Sequence, residues 1–308
     1  MKKHLLTFSI VCSSLATNVW ADQQLGAQVY TRQPFGYGKL VMELMPSTEP
    51  GIVNGFFMLK YFKSKSEDAS YPNGWTEADY EYVPGNKLSD RRTAEGDCGQ
   101  PNGNCKTGVL DGQSAADFLS VNIIGGPLTG DAAADSQVFY KISKNYFTQS
   151  NFYNVEYTPS QIKWGAKNVN QDRPYMYQKS GQDNRDIHQS LGMQYLVNRN
   201  MYIWLNIYSG LGQGWGGPVI PKTNTQMIVR TVAFYPATSC DANGCNYSST
   251  PSMYSDFVND RYTMNGASAT FDQVWVNKDS LNYPIFTRAA NAYIHRGSGL
   301  VMRYVYTP

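Results

Sequence analysis

Short apolar or alternating runs recur along the whole chain, and hardly any stretch shows the 3.6-residue period of a helix. The runs fall at 39–44, 55–61, 77–83, 118–124, 153–157, 201–208, 226–235, 271–276 and 299–306. Clusters of Gly, Pro, Asn and Asp separate them, which is typical of a β-sandwich or barrel built from many short strands. The longest loops are expected at 63–75, 86–117 and 236–252.

The first 21 residues have the pattern of a secretory signal peptide. Two lysines precede an apolar stretch at 5–11, and small residues stand at the −3 and −1 positions of a cleavage site before Asp22. The apolar stretch is too short for a membrane anchor, and no later stretch approaches about 18 apolar residues. We therefore expect a secreted or periplasmic protein without a membrane span, in which residues 22–308 form one domain.

The chain is aromatic, rich in glycine and lightly charged, with 23 Tyr, 13 Phe, 6 Trp and 27 Gly among its 308 residues. This composition suits sheets joined by turns, and it favours one large β domain over two small domains. A formal net charge of +2 gives no reason to expect a nucleic-acid partner.

Four cysteines remain after the signal peptide, in two close pairs: Cys98 with Cys105, and Cys240 with Cys245. In an exported protein, an even number of closely spaced cysteines predicts local disulfides that close loops. A zinc site is the alternative interpretation. Neither pair has the Cys-x-x-Cys spacing, however, and only two histidines remain to complete such a site.

The segment WTEADYEY at 75–82 holds the candidate chemistry. In a strand, Glu77, Asp79 and Glu81 project from one face. Three carboxylates on one face repel one another, which costs stability unless the electric field that they create has a function. The Cα atoms of the two glutamates lie roughly 13 Å apart at ~3.3 Å per residue. Side chains that lean together can approach the ~5–5.5 Å carboxyl separation of a retaining glycosidase. Asp79 can share a proton with a neighbour and so separate the two working pKa values.

An acidic triple with this spacing also arises by chance on an ordinary solvent-facing strand, so the motif alone is weak. The neighbouring sequence distinguishes a catalytic motif from a chance occurrence. The segment resembles the catalytic strand of glycoside hydrolase family 16, most closely that of bacterial β-1,3-1,4-glucanases (lichenases). Trp75 stands two residues before the first glutamate, as the family's sugar-stacking tryptophan does. Further matches lie at 30–31, 36–40, 51–57, 120–124, 156–159, 162–164 and 204–208, followed by Trp215. Trp164, within an apolar strand, is expected in the core.

The resemblance implies an all-β, concanavalin A-like β-jelly-roll sandwich with retaining endo-β-glucanase activity. Glu77 would be the nucleophile, Glu81 the acid/base and Asp79 the assisting carboxylate. The substrate-binding residues would be Trp75, Phe57, Asn122, Asn206, Tyr208 and Trp215. The chemistry would need no cofactor, although some family members bind a structural calcium ion. The partner would be a polysaccharide, a β-glucan, bound by a monomer that has neither a nucleic-acid nor a membrane partner.

The order of the matching segments resembles that of a naturally circularly permuted lichenase. The mature chain enters the family's Tyr-Gly-x-Gly-like region almost at once. The family's opening hairpin is instead similar to 291–302, and the part before it to 256–257 and 271–276. The ends of a compact domain often lie close together, which makes such a rearrangement physically reasonable. We expect 291–306 to pair in the same sandwich as the strands from 27–61.

Three positions depart from the family's pattern. Tyr208 stands where lichenases usually carry tryptophan, Trp204 where the permuted form carries arginine, and Leu59 where a tyrosine is expected. The catalytic strand itself is intact, so these departures bear on the preferred glucan. The unbulged Glu-x-Asp-x-Glu spacing resembles family members that attack β-1,4 linkages.

Two other functions fit the same scaffold. A transglycosylase would use the same carboxylates and pass the glycosyl group to a sugar instead of water. A non-catalytic carbohydrate-binding jelly-roll protein would need none of them, since a fold does not fix a function. All three carboxylates are present, which favours an enzyme. The run GQGWGG at 212–217 fits the dinucleotide-binding pattern, but Pro218 and Pro221 exclude the helix that must follow it.

Overall fold

The structure is a computed structural model that describes residues 23–61, 74–84, 108–109, 116–127, 134–135, 138–159, 161–166, 177–180, 200–209, 221–241, 244–269 and 291–307. Its strands are β1 (Gln23–Leu25), β2 (Ala27–Tyr30), β3 (Gly38–Met45), β4 (Ile52–Tyr61), β5 (Gly74–Tyr82), β6 (Gly108–Val109), β7 (Ala116–Pro127), β8 (Ala134–Asp135), β9 (Val138–Ser143), β10 (Asn151–Tyr157), β11 (Gln161–Ala166), β12 (Tyr177–Ser180), β13 (Tyr202–Ser209), β14 (Thr225–Asp241), β15 (Gly244–Tyr247), β16 (Met253–Asp256), β17 (Arg261–Met264), β18 (Ala267–Ala269), β19 (Ala292–His295) and β20 (Gly299–Thr307). One short helix, α1 (Lys144–Phe147), accompanies them in the described part of the chain.

The strands form two sheets that pack face to face. The front sheet has the order β2-β13-β4-β5-β7-β9-β6, with β8 paired to β7. The back sheet has the order β12-β11-β10-β3-β14-β16-β17-β18, extended by β1, β15, β19 and β20. Neighbours are antiparallel except β6 and β9. The prediction of an all-β jelly-roll sandwich is confirmed.

The core lies between the sheets and follows from strict alternation along the strands. On β3, Leu40, Met42 and Leu44 are fully buried while the residues between them are half-buried. Alternating side chains of a strand point to opposite faces, so one apolar set faces the partner sheet. Trp164 on β11 is also fully buried, as its apolar surroundings predicted.

The prediction of a loop at 236–252 is wrong over most of its length. β14 continues to Asp241 and turns back as β15, and Cys240 and Cys245 lie opposite each other and form a disulfide. The predicted local pairing of these two cysteines is therefore confirmed. The side chains of the hairpin are exposed or half-buried, so it lacks the apolar alternation by which a buried strand is recognised. Cys98 and Cys105 lie outside the described residues, as do the predicted signal peptide and most of the other two predicted loops.

The C-terminal hairpin pairs in the same sandwich as the strands from 27–61, as expected, and it lies in the back sheet. β19 pairs with β20, and β20 pairs with the first part of β14, which in turn pairs with β3. Leu300, Met302 and Tyr304 are fully buried, and the Tyr304 hydroxyl donates to the carbonyl oxygen of Pro221 at 3.1 Å. β20 also pairs with β1, so both ends of the described chain are in one sheet.

The described residues contain no helix of the length and apolar character that crossing a membrane requires.

Candidate active site

The three predicted carboxylates project from the same face of β5. The residues of opposite parity, Ala78 and Tyr80, are fully buried against the back sheet. Glu77 and Glu81 are half-buried on the other face, and Asp79 between them has no exposed surface. The strand therefore presents two partly accessible glutamates on either side of an enclosed aspartate.

β5 lies in the middle of the front sheet, and its position is fixed on both sides. It pairs with β4 along its length and with β7 over the same residues. A central strand with two complete ladders has little freedom to move, which suits side chains whose separation determines the chemistry.

The buried face of β5 is fastened to the back sheet through Tyr80. Its hydroxyl lies 2.9 Å from the carbonyl oxygen of Asn154 on β10 and 2.7 Å from that of Gly165 on β11. Its ring packs against Phe56 and Tyr153, with centroids 5.1 and 5.7 Å away. The strand that carries the carboxylates is thus held from beneath by hydrogen bonding and aromatic packing.

The end of β5 is held by a buried amide on β4. The side-chain nitrogen of Asn54 donates to the carbonyl oxygens of Tyr82 and Ser47, at 3.1 and 3.0 Å. Its side-chain oxygen accepts from the backbone N–H of Ser47 at 2.7 Å. A fully buried amide that satisfies these groups fixes the last residues of β5 relative to β4.

Burial keeps the tyrosine hydroxyls beneath the strand in the neutral form. Burial raises the pKa of Tyr153 well above 10.0, and the nearby Tyr146, Tyr80 and Tyr82 raise it further. Burial also raises the pKa of Tyr146, against the opposing effect of its hydrogen bond with Tyr153. These phenols stay neutral at ordinary pH.

Strand pairing arranges the exposed face of the front sheet in rows that run across the strands. The Asp79 row consists of Asn122, Asp79, Phe57, Trp204 and Tyr30 on β7, β5, β4, β13 and β2. The Glu81 row consists of Ser120, Glu81, Gly55, Asn206 and Gln28 on the same strands. Directly paired residues of antiparallel strands share a face, so each row is a set of neighbours.

Four of the six predicted substrate-binding residues are placed by this arrangement. Phe57 and Asn122 are directly opposite Asp79 on either side, with the backbone alone described at Asn122. Asn206 lies in the Glu81 row, and Tyr208, 37% exposed, lies two residues beyond it on the same face of β13. Trp75 is in β5 with its backbone alone described, and Trp215 lies outside the described residues.

Gly55 leaves room for Asn206 beside Glu81. A Cβ atom at position 55 would overlap the side-chain oxygen of Asn206 and would come within 3.1 Å of a ring carbon of Phe57. That oxygen of Asn206 is buried and has no hydrogen-bond partner in the described part of the chain. A buried acceptor without a partner is costly, so a ligand hydroxyl that reached it would be bound favourably.

The sequence interpretation noted Trp204 only as a departure from the family's pattern, and it did not name Tyr30 as a candidate site residue. The Tyr30 ring stacks on the indole of Trp204 with centroids 4.3 Å apart and an interplanar angle of 17°. The Phe57 ring lies on the other side of the indole, 6.2 Å away at 8°. The signal was available, because Trp204 precedes Asn206 and Tyr208 at the two-residue spacing that puts all three on one face.

Within the described ranges, no group of three or more His, Cys, Asp or Glu side chains is arranged to hold a metal ion.

Several solved structures resemble this chain. A β-1,3-1,4-glucanase (lichenase) from a mouse hindgut metagenome is 16% identical, with a TM-score of 0.35, over 63% of this chain and 72% of that one. The β-glucanase of Bacillus licheniformis is 13% identical, with a TM-score of 0.37, over 65% and 73%. The catalytic domain of an endo-1,3-β-glucanase (laminarinase) from Thermotoga petrophila RKU-1 is 15% identical, with a TM-score of 0.42, over 70% and 78%. At these identities and TM-scores the resemblance does not indicate a function, so the functional argument rests on the geometry of the site. No protein-family model matches the chain, and no curated protein matches it significantly.

Proposed function

We propose that the protein is a retaining endo-β-glucanase, a glycoside hydrolase that cleaves internal β-glucosidic bonds. The observation that carries the proposal is the set of three carboxylates on the exposed face of β5. Glu77 and Glu81 are partly accessible and Asp79 is enclosed between them. Paired carboxyl groups at short separation are the chemical requirement of retaining glycoside hydrolysis.

The surroundings of the carboxylates fit a sugar better than a charged or strongly apolar ligand. Amide side chains that both donate and accept hydrogen bonds, such as Asn206, alternate on this face with aromatic rings such as Phe57 and Tyr208. A pyranose has hydroxyl groups around its rim and C–H groups on its faces, so it can use both kinds of contact.

In the proposed mechanism, Glu77 attacks the anomeric carbon while Glu81 donates a proton to the leaving glycosidic oxygen. The C–O bond to the leaving sugar breaks, and an ester bond joins the anomeric carbon to Glu77. Glu81, now ionised, removes a proton from water, and the resulting hydroxide displaces Glu77. Two inversions at the anomeric carbon release a product with the original β configuration. The enclosed Asp79 keeps the two glutamates in different protonation states.

Export to the cell exterior or periplasm is part of the proposal. The disulfide between Cys240 and Cys245 supports it, since stable disulfides form in oxidising compartments. The signal-peptide pattern of the first 21 residues supports it independently.

The test is reducing-sugar release from lichenan, laminarin, carboxymethylcellulose and xyloglucan by the purified mature protein. We expect release from at least one β-glucan, with a rapid fall in viscosity that marks internal cleavage. The matched control is the Glu77→Gln variant purified in parallel, which should release nothing. Absence of release from all four polymers, or equal release by the variant, would reject the proposal.

A further inference from the structure

A buried asparagine lies on the core-facing side of β4, next to the strand that carries the carboxylates. Its row across the front sheet consists of Leu119, Tyr82, Asn54, Ile207 and Ala27 on β7, β5, β4, β13 and β2. All five are buried, and the other four belong to the hydrophobic core. Burial of an amide among such side chains costs stability unless its hydrogen bonds are made. The amide of Asn54 therefore needs an explanation beyond core packing.

The hydrogen bonds of Asn54 join the end of β5 to the connection between β3 and β4. Its side-chain nitrogen donates to the carbonyl oxygens of Tyr82 and Ser47, and its side-chain oxygen accepts from the backbone N–H of Ser47. A backbone bond continues this contact past the end of β5, since the N–H of Gly51 donates to the carbonyl oxygen of Pro84 at 3.2 Å. Ser47, Gly51 and Asn54 thus hold the C-terminal end of β5 and are called the β5 clamp below.

The β5 clamp is anchored on the back sheet. The hydroxyl oxygens of Ser47 and Thr225 lie 2.7 Å apart, and Thr225 is the first residue of β14. The Ser47 hydroxyl also accepts from the backbone N–H of Glu49 at 3.2 Å, within the same connection. Ser47 is buried, so these hydrogen bonds form where water competes little for them. The clamp is therefore fixed to a strand inside the opposite sheet.

The clamp acts on the half of β5 that carries Glu81. β5 ends at Tyr82, so Glu81 is next to the last residue of the strand, whereas Glu77 has paired residues on both sides of it along β5. The ends of strands open more easily than their interiors. Loss of the clamp would therefore move Glu81 more than Glu77 and would alter the separation of their carboxyl groups.

We propose that Asn54 is a positioning residue for Glu81, which it holds at the separation from Glu77 that cleavage of the glycosidic bond requires. The inference rests on the proposed function, because it takes Glu81 as the group that protonates the leaving oxygen. Asn54 faces the core, on the side of the sheet opposite to the carboxylates, and acts through the backbone of Tyr82. A displacement of about 1 Å in a reacting group can lower a rate by about 100-fold, which gives a rigid strand end a large effect on turnover.

The kinetic test uses two substrates that differ in their need for a proton from Glu81. Cleavage of the glucan polymer expels a sugar oxygen that must be protonated, whereas a dinitrophenyl gluco-oligosaccharide expels a stable phenolate that needs no proton. In Asn54→Ala, kcat/KM should fall by about 10-fold or more on the polymer and by less than about 3-fold on the aryl substrate. A change that disturbed the whole site or the nucleophile would lower kcat/KM on both.

A milder variant loosens the clamp without a change in β4 or β5. Thr225→Val removes the hydroxyl that contacts Ser47 and keeps the shape of a half-buried side chain, so the protein should fold. We expect the same selective loss on the polymer, smaller than in Asn54→Ala. The matched control is Asp256→Ala, which removes another buried polar side chain that hydrogen-bonds backbone, in the turn after β16 of the back sheet. Assayed where it is folded, it should match wild type on both substrates.

Hydrogen exchange followed by mass spectrometry separates this inference from the proposed function. In Asn54→Ala, amides in peptides that cover 79–84 should exchange about 10-fold faster or more, while those that cover 74–78 should change little. This result supports the hold of Asn54 on the end of β5 even if the wild type hydrolyses no glucan. Unchanged exchange at 79–84 in folded Asn54→Ala overturns the inference. Equal losses of kcat/KM on the polymer and the aryl substrate, or the same selective loss in Asp256→Ala, also overturn it.

Discussion

The hydroxyl of Tyr80 reaches the carbonyl oxygen of Gly165 at 2.7 Å, and so joins the strand of the candidate carboxylates to the opposite sheet. Tyr80 stands between Asp79 and Glu81 on β5, and its side chain is fully buried. This contact ties the backbone between Asp79 and Glu81 to the back sheet. It also makes the position of the carboxylates dependent on core packing.

We expect Tyr80→Phe to lower the free energy of unfolding by about 1–2 kcal/mol, because a buried hydrogen bond is lost while the ring remains. Urea unfolding followed by circular dichroism measures this. Tyr293→Phe is the control, since that tyrosine is 38% exposed and its change should be near zero. A Tyr80→Phe protein as stable as wild type would show that the hydroxyl contributes nothing.

Gly55→Ala should disturb the site through Asn206. The added Cβ overlaps the side-chain oxygen of Asn206, which must rotate away from its place in the Glu81 row. We expect a stability loss of about 1–3 kcal/mol from overpacking, together with reduced kcat/KM on the active glucan. In an Asn206→Ala background the same substitution should cost less, because the overlapping atoms are gone. Additive losses in the double variant would contradict this account.

The three carboxylates should respond differently to substitution. Glu77→Gln should remove nearly all turnover while substrate still binds, because a nucleophile acts mainly in the transition state. Asp79→Asn should be milder and should alter the acidic side of the pH–rate profile, since it removes no bond-forming group. Initial rates and binding titrations measure both effects. Full activity in Glu77→Gln would contradict the assignment.

The stereochemistry offers an independent check of the same roles. Azide should rescue Glu77→Ala with inversion, giving an α-glycosyl azide, and Glu81→Ala with retention, giving the β product on activated substrates. NMR of early wild-type products should show the β anomer first. Initial release of the α anomer would exclude the retaining mechanism.

The all-β architecture and the common face of the three carboxylates could be predicted from the sequence. Both follow from the alternation of side chains between the two faces of a strand. Glu77 and Ala78 differ by one position, and a strand must send them to opposite faces. The sequence could not tell which strands are neighbours, because pairing of β4 with β13 joins residues about 150 positions apart and depends on the whole core. For this reason the stack of Tyr30 on Trp204, made by strands far apart in sequence, was missed.

Exposed hairpins escaped prediction for a different reason. The β14–β15 hairpin has no buried face to impose an alternating pattern, so 236–252 looked like a loop. The turn between β17 and β18 was signalled more directly. Asn265 and Gly266 both have positive φ, 50° and 81°, as the Asn-Gly pair of a two-residue hairpin turn requires.

Asp256 should give the fold a contribution to stability that depends on pH. Desolvation raises its pKa, but hydrogen bonds from the side chain and backbone of Asn259, the backbone of Val258 and the hydroxyl of Tyr254 outweigh this and lower it below 3.8. The ionised carboxylate therefore stabilises the folded protein above the unfolded-state pKa, about 3.9, and this contribution is lost as the pH falls through the lowered value.

We expect Asp256→Ala to reduce the free energy of unfolding by about 1–3 kcal/mol at neutral pH. The difference from wild type should shrink below about pH 4 as the wild-type carboxyl becomes protonated. Urea titrations between pH 3 and pH 7 measure the trend. A difference that grows as the pH falls would show that the charge is not the stabilising element.

We propose that the order of the strands arose by circular permutation. The pairing of β1 with β20 allows a direct test. β1 and β20 are antiparallel neighbours in which Gln23 is opposite Thr307. An Asn-Gly linker from 307 to 23 would close a two-residue hairpin of a favoured type. New ends can be opened between Ser249 and Thr250, two exposed residues in the connection from β15 to β16.

The rejoined chain would begin with β16 to β20 and continue through β1, the order that the family resemblance implied before permutation. We expect it to fold with a melting temperature within several degrees of the natural order and with comparable kcat/KM, because every strand pair is kept and only exposed connections change. The control carries the same linker but is opened between Val41 and Met42, inside the central strand β3, and should not fold. Calorimetry and the glucan assay compare the two. Failure of the first version to fold, with the linker shown to be intact by mass spectrometry, would mean that the present strand order is required and that the permuted relationship is wrong.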